Sequence, residues 1–116
     1  MLNKKAQEVL LRATQLISDR TRWIKGAGFR SGMEGLMHNY CALGALVRAS
    51  RELSAEEYDR NQVESALRKT LYGLNYHRGI SVDSYNDNEA TTHADVKNLF
   101  CETVKREVVD AQTDEA

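Results

Sequence analysis

The chain has 116 residues, of which 41% are hydrophobic and 28% charged, and a net charge of −1. That length and balance describe one globular domain with a core of its own, and they exclude a disordered chain. No apolar run approaches the ~20 residues of a membrane span, and nucleic-acid-binding domains are usually far more basic overall.

The charge is unevenly spread. Residues 1–30 hold seven Lys/Arg against two Asp/Glu, while residues 91–116 hold three against six. The first third is then either ordinary helix surface or a face for phosphate or an acidic partner. The amino terminus leads into an amphipathic pattern rather than a signal-peptide core, so a cytoplasmic location is expected. Cys41 and Cys101 match no paired framework and read as reduced thiols.

Ala6, Val9, Leu10, Ala13, Leu16 and Ile17 recur at helical spacing, predicting a helix over 4–19. The only tryptophan, Trp23, follows among Arg20, Arg22 and Lys25. It reads as a core anchor or as a stacking platform beside a cationic rim. Four of the seven glycines then lie within residues 26–35, together with Arg30. Such density predicts an irregular loop. Its spacing fits neither the dinucleotide-binding fingerprint nor the Walker pattern.

Residues 40–47 form a long uncharged stretch, Tyr-Cys-Ala-Leu-Gly-Ala-Leu-Val. A helix over 39–51 is predicted, capped by Asn39 and packed inside the others, with Cys41 in its first turn. Such a cysteine is either a small core residue or a thiol activated by the helix dipole. Ser54-Ala55-Glu56-Glu57 reads as a capping box ahead of a helix over 55–72, whose apolar face is Val63, Ala66, Leu67 and Leu71. Gly73 reads as a helix-ending glycine.

Residues 75–91 are rich in turn formers, with Ile80 and Val82 as a short extended piece. Asp83, Asp87 and Glu89 alternate as calcium ligands would, but Asn88 takes the glycine position and Ala94 the closing glutamate position of that loop. No zinc spacing occurs either, so no metal and no cofactor are expected. Thr92 caps a last helix over 93–109, and residues 111–116 read as a frayed tail.

The Cys41-Ala42-Leu43-Gly44-Ala45 stretch, the Tyr85-Asn86-Asp87 tripeptide and the amphipathic helix after it resemble an uncharacterised family of small bacterial and phage proteins. That family carries a Cys-x-x-Gly-Ala helix and a Trp-Asn-Asp motif, and the resemblance covers about residues 6–108. Tyr85 stands where the family typically has tryptophan, and the Gly-rich insert over 26–37 is longer. The resemblance implies a helical fold and a cytoplasmic or phage context, with no activity attached.

The expectation is therefore a single all-α domain of four main helices. Three functions compete. The first is a binding protein for a macromolecular partner, with a homodimer as one form of it. The second is a binder of a nucleotide or other small anion, with Arg20, Arg22, Lys25 and Arg30 on phosphate and Trp23, Tyr85 and Asn86 around a base. The third is a cysteine hydrolase, with Cys41 as nucleophile, His93 or His38 as base and Asp87 or Asn86 as its orienter.

Overall fold

The computed structural model describes residues 2–19, 23, 41–74, 81–88 and 90–108. Helices α1 (Lys4–Ser18), α2 (Ala42–Glu52), α3 (Glu57–Gly73), α4 (Val82–Asp87) and α5 (His93–Glu107) make up the fold. No strand occurs among the described residues, and none of their helices is long and apolar enough to cross a membrane. The Gly-rich loop, Asn39 and the tail beyond Val108 lie outside the described residues.

Helix α1 is a hub of the fold, packing extensively on α2, α3 and α5. The whole predicted stripe, Ala6 to Ile17, is buried on it. Helix α2, expected to pack inside the others, is largely buried as well. Helix α2 buries Ala42, Gly44, Ala45, Leu46, Ala49 and Ser50 but leaves Leu43 and Val47 partly exposed. Its small residues suit close approach by the neighbouring α1, α3 and α4. Leu10, Leu67, Leu71, Leu99 and Phe100 supply the bulk of the core. Each fully buried side chain of this size contributes about 1.5–3 kcal/mol.

Caps tie the helices together across the chain. Asn3 caps α1 by accepting from the Ala6 N–H at 2.8 Å, and its side-chain amide donates to Asp59 at 3.1 Å. The second oxygen of Asp59 accepts from the Glu56 N–H at 3.0 Å. One buried carboxylate thus joins the starts of α1 and α3. The cap of α3 is Glu56, two residues later than the expected Ser54.

Ser54 has a different task. It sits at φ 52° beyond the end of α2. Its N–H donates to the Arg51 carbonyl and that of Ala55 to the Ser50 carbonyl. These two bonds form a Schellman closure, which places a left-handed residue where glycine is usual. Between α3 and α5, the buried Thr103 hydroxyl lies 2.8 Å from that of Thr70, which itself donates to the Ala66 carbonyl. Gly73, the last residue of α3, leaves room for the Arg106 guanidinium, which a Cβ would meet at 2.8 Å. A cation there suits the negative end of the helix.

At the surface, Glu52 joins α1 to α2. One carboxylate oxygen meets Arg12 at 2.6 Å and the other meets Arg48 at 3.0 Å. The Arg12 hydrogen bond leads in holding the Glu52 carboxyl below its ordinary value, against a smaller opposing effect of burial.

Two outcomes follow from these contacts. A depressed carboxylate stabilises the fold above the unfolded value near pH ~4.3, and that contribution is lost as pH falls through the lowered folded value. Glu52→Gln should therefore cost about 0.2–1 kcal/mol at neutral pH, the scale of an exposed pair. The deficit should vanish in urea titrations at acid pH, and a deficit unchanged with pH would contradict it. Ser54→Gly should raise the urea midpoint, gaining from a few tenths to about 1 kcal/mol by removing left-handed strain. A fall in midpoint would show that Ser54 carries no strain.

Candidate functional site

The six sequence candidates that fall among the described residues gather at one junction of helix ends. Helix α4 is only six residues long, with Ser81 as its cap, accepting from the Ser84 N–H at 3.0 Å. Val82, Tyr85 and Asn86 form its buried face. This replaces the extended piece and turn expected around residue 82. Serine, aspartate and asparagine favour both turns and helix caps, and here the cap prevails.

Asn86 is the centre of the junction and is fully buried. Its side-chain oxygen accepts from the Trp23 indole N–H at 2.8 Å and from the Ala42 N–H at 3.0 Å. Its amide donates to Asp87 at 3.1 Å. Ala42 opens α2, so its N–H is one of the donors a helix leaves without an internal partner. The Cys41 sulfur accepts another, the Gly44 N–H, at 3.3 Å. Cys41 is therefore the cap itself, a correction to its expected place inside a turn capped by Asn39. Sulfur is a weak acceptor, and Asn86 reinforces this helix start from across the fold.

Two further contacts close the junction. Thr92 and Asp95 form a reciprocal capping box at the start of α5, which holds His93 at its first position. The His93 Nε2 lies 2.7 Å from the Ile17 carbonyl in the last turn of α1. A carbonyl only accepts, so Nε2 carries the hydrogen. The His93 ring also lies against Trp23, with centroids 5.8 Å apart and planes at 50°. Trp23 packs on the core, its ring half-buried.

The structure thus unites Trp23, Cys41, Tyr85, Asn86, Asp87 and His93 at one place, in roles that hold helices together. Cys41 is 1% exposed and Tyr85 is 3% exposed. A nucleophile must meet its substrate, and a stacking ring must offer a face; neither is open in this arrangement. Asp87 is the exposed member of the catalytic trio, and it accepts from Asn86. Arg20, Arg22, Lys25 and Arg30 lie outside the described residues. No cluster of three His, Cys, Asp or Glu suited to a metal occurs among the described residues.

Sequence reasoning passed over a second region. A groove of about 500 Å³ runs along α3, lined by Tyr58, Gln62, Ser65 and Lys69, with Leu2 and Glu107 at its sides. Tyr58 is 68% exposed, and Tyr72 on the same helix is 50% exposed. Large aromatic rings left this open on an otherwise amphipathic helix were the available signal.

Residues 1–106 match the family of unknown function DUF6197. The chain belongs to this family. No curated protein matches it. No solved structure matches it.

The two substitutions that break the Asn86 contacts should differ in cost. Asn86→Ala strands the buried Ala42 N–H, at about 1–3 kcal/mol, and the part-buried Trp23 indole N–H, at about 1 kcal/mol, so a loss of roughly 2–4 kcal/mol is expected by urea unfolding followed by circular dichroism. Trp23→Phe removes one donor but leaves the oxygen bonded to Ala42, and about 1 kcal/mol is expected. A Trp23→Phe loss equal to or above that of Asn86→Ala would contradict the central place of Asn86.

Proposed function

We propose that this member of the DUF6197 family is a non-catalytic binding protein that acts on a macromolecular partner. The observation that carries the reading is the commitment of the candidate catalytic groups to structure. The Cys41 sulfur caps α2 in a sealed position, and the His93 Nε2 hydrogen is directed at a main-chain carbonyl. Chemistry at Cys41 would require the start of α2 to open.

Recognition is better served by α3, whose exposed face offers Tyr58, Arg68, Lys69 and Tyr72. Tyrosine is enriched at protein interfaces because it joins an apolar body to a polar tip. The setting assigned to it is cytoplasmic, with a phage or mobile-element origin, on the strength of the resemblance in the Cys41–Ala45 and Tyr85–Asp87 motifs. Two free thiols suit a reducing compartment.

Thiol labelling of the native protein tests the reading. Cys101, which is partly exposed, should label at an ordinary rate, while Cys41 should label only when the protein unfolds. Rapid native labelling of Cys41 that persists well below its ordinary pKa would instead mark an activated nucleophile and favour the hydrolase.

A further inference from the structure

We propose that the partner of the exposed α3 face is a second copy of this chain, packed antiparallel about a two-fold axis at Ser65. The inference rests on the binding reading above and names the occupant of that surface.

Tyr58, Gln62, Ser65, Lys69 and Tyr72 follow one another at spacings of four and three residues. Side chains so spaced lie along one side of a helix. None of the five belongs to the core: Gln62 and Ser65 are partly exposed, and the other three are exposed. The stripe is symmetric about Ser65. Tyr58 lies seven residues before it and Tyr72 seven after, so each ring stands about 10 Å along the axis from the centre. Turning a second copy through a two-fold axis at Ser65 places Tyr58 of each copy against Tyr72 of the other. A small central residue lets the two helices cross closely. A two-fold interface requires such self-complementarity.

Charge selects the antiparallel arrangement. The first half of α3, residues 57–64, carries Glu57 and Glu64 against Arg60, Asp59 being buried in its bonds to Asn3 and Glu56. The second half, residues 65–73, carries Arg68 and Lys69 with no acid, and the Arg106 guanidinium lies over its end at Gly73. An antiparallel copy lays the acidic half on the basic half at both ends, whereas a parallel copy would oppose like charges. The groove beside Tyr58 supplies the concavity. The same rotation brings Tyr72 of the second copy to it.

The test uses the full chain, with mass measured by light scattering and sedimentation across micromolar concentrations. The wild type should form a dimer of about twice the 13.1 kDa chain. Arg68→Glu with Lys69→Glu makes both halves acidic, and Glu57→Lys with Glu64→Lys makes both basic. Each double variant should be folded by circular dichroism, with its dimer dissociation constant raised at least tenfold. Mixing the two should restore a heterodimer, which a merely structural defect could not do. Ser65→Arg should also give a folded monomer.

A wild type that stays monomeric, or a mixture of folded variants that fails to pair, overturns the inference. If the wild type is monomeric while Arg68→Glu with Lys69→Glu abolishes capture of a different macromolecule, the dimer is refuted and the binding reading survives. Rapid native labelling of Cys41 would count against the binding reading without touching the dimer.

Discussion

The side-chain oxygen of Asn86 accepts two hydrogens from segments 63 and 44 residues away in sequence. The Ala42 N–H in particular would be costly to leave unpaired, because a buried N–H without an acceptor loses its hydration and gains nothing in return. The start of α2, the position of Trp23 and the placement of α4 are therefore one decision. Helix α4 is too short to persist alone, so packing and this hydrogen-bond set must hold it. From Trp23 the linkage continues through the His93 ring to the Ile17 carbonyl at the end of α1. The start of α2 and the end of α1 are thus completed by side chains of α4 and α5.

The parts of the fold visible in the sequence are those set by periodicity. Helices α1, α3 and α5 each keep an apolar stripe long enough to read: Ala6 to Ile17 on α1 and Val63, Ala66, Leu67 and Leu71 on α3 are buried as predicted, and α5 buries Val96, Leu99, Phe100 and Thr103 at helical spacing. Three features escaped for physical reasons. Helix α4 is one and a half turns of Val-Asp-Ser-Tyr-Asn-Asp, a composition shared with turns. The run at 40–47 hid its own start, where Cys41 rather than Asn39 is the cap and its sulfur accepts from the Gly44 N–H. Ser54 looked like a helix cap and instead closes the preceding helix, since the same residue types serve both ends of a connection.

The site was half legible. Unusual residues drew attention to Trp23, Cys41, Tyr85, Asn86, Asp87 and His93, and the structure does gather them. Their roles were hidden because their partners are main-chain groups, the Ala42 N–H and the Ile17 carbonyl, which carry no residue signature. One clue was available: cysteine is outside the residues that cap helices well, so a helix begun by Cys41 needs an acceptor from elsewhere. The chain accordingly separates two tasks. Its rarest residues lock the helix ends, while the open tyrosines of α3 face outward.

The interlock at Asn86 is tested most directly by native-state hydrogen exchange, read by nuclear magnetic resonance at two protons, the Ala42 amide and the Trp23 indole. If Asn86 binds both, they should exchange slowly and with the same opening free energy, close to that of the α1 core amides. Fast exchange at either proton while the α1 amides remain protected would contradict the account, because that helix start or that ring would then be held without Asn86.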